Sequence, residues 1–197
     1  MTNQATLDAC TLDVAISGNP NLAGQAVTAQ TATTPTNSTL ADGDFETPQL
    51  TSGFTDFGTG STIGPWTVTS GAVDLVHGDY WQAAGGHQSI DLNGCAPGRI
   101  AQTIHVQPNQ RYVATFSYAG NPETPDKTKL FHVEINGTPG DSYTFDTTNT
   151  SVQAMAWKEG AASFVVQGTT VEIAFASDTP NSCGGPTLDN LNIAPAP

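Results

Sequence analysis

The stretch Tyr112-Val113-Ala114-Thr115-Phe116-Ser117-Tyr118 puts Tyr112, Ala114, Phe116 and Tyr118 on one side and Val113, Thr115 and Ser117 on the other. Side chains of an extended strand alternate between two faces, so this pattern marks a strand with a large apolar face. The same period of two recurs on both sides of it. In Gln88-Ser89-Ile90-Asp91-Leu92, Ile90 and Leu92 are expected to face in and Ser89 and Asp91 out. In Val171-Glu172-Ile173-Ala174-Phe175, the odd positions form the apolar face. Strand-like segments separated by turn signals follow one another roughly every 8–15 residues, as in a sandwich. They are expected at 64–69, 73–76, 88–92, 99–105, 112–119, 129–135, 141–145, 155–166, 170–176 and 188–193. Asn136-Gly137, between Val133-Glu134-Ile135 and the next strand, is a hairpin signal, because both residues tolerate a positive φ. No segment beyond a turn or two has helical periodicity. The fold class is therefore all-β.

Composition agrees with this reading. The 197 residues include 20 Gly and 13 Pro, Thr, Val and Ser are common, and Lys, Arg, Glu and Leu are few. Residues 1–40 differ from the rest, with a Thr/Pro-rich run at 30–39 that reads as a linker. They are expected to be a flexible N-terminal extension, in which Leu12–Ile16 could add as an edge strand. The sandwich domain is expected over 41–197. No charged segment followed by an apolar stretch opens the chain, as expected of a mature secreted form. No run of about 18 apolar residues is available to insert into a membrane.

Five Lys and Arg against 18 Asp and Glu give a net charge of −13. A surface of that sign repels phosphate backbones, so nucleic acid is excluded as a partner. It also leaves carboxylates free for a hard cation such as calcium. Enzyme signatures are missing: there is no G-x-S-x-G elbow, no H-E-x-x-H and no Gly-rich phosphate loop. Asp74 and Asp91 are the one pair of carboxylates to weigh as a glycosidase couple, against the plainer reading that they are solvated outward-facing residues. The chain is expected not to be an enzyme.

Four segments in order carry a resemblance to a known family. They are Asp42-Gly43-Asp44-Phe45-Glu46; Gly64-Pro65-Trp66-Thr67-Val68 with Val73-Asp74-Leu75-Val76; Gly86-His87-Gln88-Ser89-Ile90-Asp91-Leu92-Asn93-Gly94 with Pro97-Gly98-Arg99-Ile100-Ala101-Gln102; and Cys183-Gly184-Gly185-Pro186-Thr187-Leu188-Asp189-Asn190-Leu191. Together they resemble the DUF642 group of galactose-binding-like domains, which includes plant cell-wall proteins and bacterial secreted proteins. One extra Gly interrupts the closing motif relative to plant members. The resemblance implies a jelly-roll β-sandwich, a secreted, cell-surface or cell-wall setting, and no catalysis.

It also implies a calcium ion tying the first and last segments together. The matching positions are Asp44, Glu46 and Asp189, and the plainer reading has Glu46 and Asp189 capping turns or pairing with Arg99 or Lys158. Cys95 and Cys183 lie in Gly/Pro-rich loops and, in a secreted protein, are expected to form a disulfide, which leaves Cys10 over. The segment from Val76 to His87 is loop-like and gathers His77, Asp79, Tyr80, Trp81, Gln82 and His87. Sugars stack their C–H faces on aromatic rings and bond to planar polar groups, so these six are the candidate glycan-binding residues. The alternative is that Trp81 caps the core beneath a loop, as Trp66 and Trp157 are expected to do. The expected ligand is a neutral or pectin-like glycan. The alternative function is a structural or adhesive cell-surface domain that binds protein or self-associates through residues 1–40.

Overall fold

The computed structural model describes residues 40–180 and 182–196, and these fold into twelve strands, all paired antiparallel. The expectations for the N-terminal extension, including the Leu12–Ile16 strand, Cys10 and self-association, lie outside the described residues.

The strands are β1 (Phe54–Gly58), β2 (Thr62–Ile63), β3 (Trp66–Ser70), β4 (Ala72–His77), β5 (Gln88–Asp91), β6 (Arg99–His105), β7 (Arg111–Gly120), β8 (Thr128–Ile135), β9 (Thr138–Asp146), β10 (Lys158–Val165), β11 (Thr170–Ser177) and β12 (Pro186–Pro195). They form two six-stranded sheets, ordered β1-β4-β5-β12-β7-β10 and β2-β3-β6-β11-β8-β9. Neighbours distant in sequence, such as β5 and β12, lie side by side, giving the jelly-roll form of the sandwich. All ten expected strands are present. The two not foreseen are β2, only two residues long, and β1, whose first three residues are exposed and so show no apolar alternation.

The core is the sum of the alternations. Val73, Leu75, Ile90, Phe116 and Leu188 from the first sheet meet Trp66, Ile100, Phe131, Val133, Ile173 and Phe175 from the second. Phe116 sits at the centre, edge-on to Phe131, Tyr143 and Phe175 with ring centroids 5.9, 5.1 and 5.2 Å away. Removing such a ring from a packed interior costs about 3–5 kcal/mol. Asn136 and Gly137 both have positive φ (50° and 71°) and close the β8–β9 hairpin as expected.

Two local features shape the ends of the first sheet and the segment that opens the domain. A bulge in β12 shifts its register between Asp189 and Asn192, with Asn190 at φ 52°. The extra residue lets Leu188 and Leu191 both join the core and leaves Asp189 on the outer face, opposite Ser117. The opening segment is clasped from both sheets. Gln102 bonds both the N–H and the C=O of Ala41, Trp66 Nε1 donates to Asp42 O at 2.9 Å, and Gln88 Nε2 donates to Phe45 O and Pro48 O.

Candidate functional site

The outer face of the first sheet is not simply solvated. Val76, Trp81, Ala119, Phe145 and Met155 form a second, smaller apolar cluster there, with Tyr118, Val152 and Trp157 packed against it. The loop after β4 is laid over the sheet by three bonds: Trp81 Nε1 to Ser89 Oγ at 2.8 Å, Gln82 N to Val152 O at 2.8 Å, and Trp157 Nε1 to Gln82 O at 2.9 Å. Ser89 and Asp91 therefore point out from the main core, as expected, yet are themselves fully buried. The reading of Asp74 and Asp91 as solvated carboxylates is corrected: the covering chain buries Asp91 fully and leaves Asp74 only 9% exposed.

Beside this cover lies an open cleft of about 210 Å³. Phe54 and Tyr80 stand at its mouth, 52% and 36% exposed, edge-to-face with centroids 5.2 Å apart. Such exposure is unusual for large rings in a domain that buries most of its others. Trp81, Asp74, Asp91, Asn121, Glu123 and Cys183 also line the cleft. Tyr80 Oη donates to Glu123 Oε2 at 2.6 Å, and this bond, more than burial, pushes the phenol up to about 12. Asn121 spans wall and floor: its Nδ2 donates to Asp91 Oδ2 and its Oδ1 accepts from Glu123 N, both at 2.9 Å.

The two floor carboxylates differ. Asp91 accepts from Asn93 N and Gly185 N on Oδ1 and from Asn121 on Oδ2, and it feels the charge of Lys129; burial nevertheless pushes it up to about 6. Asp74, directly opposite it across β4 and β5, is 9% exposed, and its Oδ1 has no hydrogen-bond partner among the described residues. Burial first, then the charges of Asp91 and Asp56, push Asp74 up to about 7.

Of the six glycan-binding candidates from the sequence, the structure brings Tyr80 and Trp81 to the cleft, Trp81 as a wall residue only 2% exposed. The other four stand elsewhere. His77 Nδ1 lies 2.7 Å from Asp79 Oδ1, which also accepts from Gly53 N at 2.9 Å. That pair ties the turn after β4 to the start of β1, and the Gly53 bond, ahead of His77, holds the Asp79 carboxyl low. Gln82 works through its backbone, and His87 is exposed, with its N–H donated to Glu46. Phe54, Glu123 and Asn121 carry no signal in the sequence because they come from β1 and the loop after β7, far from the aromatic loop.

The calcium candidates meet on one short piece of chain. Glu46 Oε1 accepts from His87 N and Gln88 N, and Asp189 Oδ2 accepts from Ala84 N and Gly85 N at 2.8 and 2.9 Å. The two carboxylates thus grip the same 84–88 segment. Asp189 is pushed up to about 7, mainly by burial, with the Glu46 charge adding to it. Asp44 is exposed and lies against Asp42. Among the described residues no three His, Cys, Asp or Glu side chains converge. Asp189 Oδ1 also accepts from Asn190 N at 2.7 Å, so a cation held by Glu46 and Asp189 would have to displace N–H donors and take most of its oxygens from elsewhere. Arg99 pairs with Glu134 and Glu172, each at 2.7–2.8 Å, rather than with Glu46 or Asp189. Cys95 and Cys183 form the expected disulfide, 88 residues apart in sequence, and Cys183 carries it to the cleft wall.

Known proteins share this architecture. Over 135 residues the chain is 32% identical to halomucin of Haloquadratum walsbyi (strain DSM 16790 / HBSQ001), which takes in 68% of this chain but 1% of halomucin. The chain therefore spans a very small part of that relative. The structure of TmCBM61 in complex with β-1,4-galactotriose superposes with a TM-score of 0.53 at 19% identity, covering 82% of this chain and 100% of the other. The K1 cleaved adhesin domain of Lys-gingipain from Porphyromonas gingivalis W83 superposes with a TM-score of 0.52 at 9% identity, covering 73% and 99%. Both likenesses establish the sandwich fold. The sequence profile of DUF642, a protein family of unknown function, matches residues 38–194, most of the chain. The chain belongs to the DUF642 family.

Proposed function

We propose that this domain is a non-catalytic, extracellular module that binds carbohydrate in the cleft on the outer face of the first sheet. The observation that carries the reading is the pairing of exposed Phe54 and Tyr80 rings with the Asp74 carboxyl on the floor and the Glu123 carboxyl at the rim. Ring faces take the C–H face of a pyranose, and a few fixed polar groups orient its hydroxyls. TmCBM61, of the same fold, holds β-1,4-galactotriose, which favours a glycan over other ligands for a sandwich of this shape. A disulfide persists in oxidising compartments, which supports a place at the cell surface or wall. Calcium enters the proposal as a structural ion on Glu46 and Asp189. It would relieve the repulsion between them and pin the first and last segments to the 84–88 loop.

The test is a glycan array with insoluble-polysaccharide pull-down of wild type, Tyr80→Ala and Phe54→Ala. Each truncation is expected to weaken binding about tenfold, the equivalent of about 1.4 kcal/mol, without changing the fold. If wild type retains no glycan, the carbohydrate reading fails and a structural or adhesive domain that binds protein or itself takes its place.

A further inference from the structure

The cleft floor carries more negative charge than its surroundings neutralise. Asp56 of β1 faces Asp74 of β4, and Asp74 faces Asp91 of β5, so three carboxylates stand in a row on one face of three neighbouring strands. Like charges directly opposite one another destabilise a sheet. Asp91 is answered by three N–H donors and by Lys129, whose Nζ bonds Thr124 Oγ1 and Gly184 O behind the cleft. Asp74 is not answered. It is nine-tenths buried, its Oδ1 has no partner among the described residues, and none of the described Lys, Arg or His residues lines the cleft. Above it stand the Phe54, Tyr80 and Trp81 rings, and Tyr80 holds a second carboxylate, Glu123, at the rim.

This constellation selects by charge. Phosphate, sulfate or uronate would meet the carboxylates of Asp74, Asp91 and Glu123 and the ring faces, with no described cationic side chain in the lining to offset them. A calcium ion needs six to eight oxygens, more than Asp74, Glu123 and the N–H-bonded Asp91 offer across the cleft. A protonated amine needs less: one carboxylate to accept its N–H groups and ring faces to attract its charge. We propose that the cleft between Asp74, Glu123, Phe54 and Tyr80 takes the ammonium group of an amino sugar, so that the glycan this module binds is one containing glucosamine units with free amines.

The inference rests on the carbohydrate reading and deepens it. The experiment is calorimetric titration with a glucosamine hexasaccharide, its fully N-acetylated counterpart and a neutral galacto-oligosaccharide. It is run near neutral pH, where Asp74 is ionised in a large share of the molecules and the amines still carry charge, and at about 0.15 M salt, where long-range attraction to the acidic surface is screened. The free-amine oligosaccharide is expected to bind at least about tenfold more tightly than the other two. Asp74→Asn is expected to erase that preference while leaving the weak binding of the acetylated and neutral sugars in place. Glu123→Gln, at the exposed rim, is expected to reduce it severalfold and serves if the floor substitution disturbs folding. Equal affinity for all three sugars overturns the amine assignment and leaves the carbohydrate reading standing. No binding to any of them, nor to any glycan on the array, overturns both. Tighter, Asp74-dependent binding of oligolysine than of the glucosamine oligosaccharide overturns the sugar and assigns the cleft to a basic protein segment.

Discussion

Asp74→Asn removes a charge on the cleft floor that no described residue neutralises, and its effect on stability can be worked out. In the native state the carboxyl titrates at about 7 instead of 3.8, because it is buried beside Asp91 and Asp56. A group raised in this way costs the fold nothing below its unfolded value, and the cost grows as pH rises from there to the native value. The cost is fully expressed above about pH 7 and absent below about pH 4. A rise from 3.8 to about 7, at about 1.4 kcal/mol per pH unit, amounts to about 4 kcal/mol. An amide in the same place keeps a desolvation cost of about 1–3 kcal/mol. The net gain at pH 8 is therefore about 1–3 kcal/mol, or about 3–10 °C in Tm for a domain of this size. Thermal melts of wild type and variant from pH 4 to pH 8, without glycan, are the assay. The variant's gain should grow from pH 4 to about pH 7 and level off above it, with little or no gain at the acid end. A gain independent of pH, or a loss at pH 8, would refute the claim that Asp74 stands uncompensated. A residue that costs the free protein stability and is expected to serve binding is a familiar trade between the two.

Wild type should become more stable as pH falls from about 8 to about 5, because Asp74, Asp189 and Asp91 are all raised, to about 7, about 7 and about 6. A stability maximum at pH 8 in calcium-free buffer would contradict that sign. Calcium added to chelated protein at pH 8 should raise the Tm and lower the native titration of Asp189, and Glu46→Gln with Asp189→Asn should abolish both changes; an unchanged Tm in wild type removes the ion from the proposal. Replacing Cys95 and Cys183 together by Ala should cost about 4–5 kcal/mol, the chain-entropy value for an 88-residue separation, read as a lower urea midpoint. Gly71→Ala should destabilise by more than about 1 kcal/mol, because Gly71 has φ 61° and an added Cβ would run into the Pro97 carbonyl.

The sequence by itself determined the sandwich. Period-two alternation is written by local physics: each strand must present an apolar face to bury, and the turns need residues such as Asn136 and Gly137 that accept positive φ. Tyr112–Tyr118, Ile90 with Leu92, and Val171 with Ile173 and Phe175 all kept their expected faces. The disulfide was legible because two loop cysteines have few other uses outside the cell. Tyr80 and Trp81 were legible as aromatic residues in a polar loop. Only the tertiary structure decided which of them stays exposed: Trp81 is buried in the small second cluster, while Phe54, from a strand without visible alternation, joins Tyr80 at the mouth. It alone decided that Asp91 is covered and that Asp74 Oδ1 has no partner among the described residues, because that depends on cross-strand register and on loops as far as 94 residues away in the chain, such as Gly185 over Asp91. Alternation fixes which face a side chain takes; what lies above that face is set by contacts between segments that the sequence holds far apart.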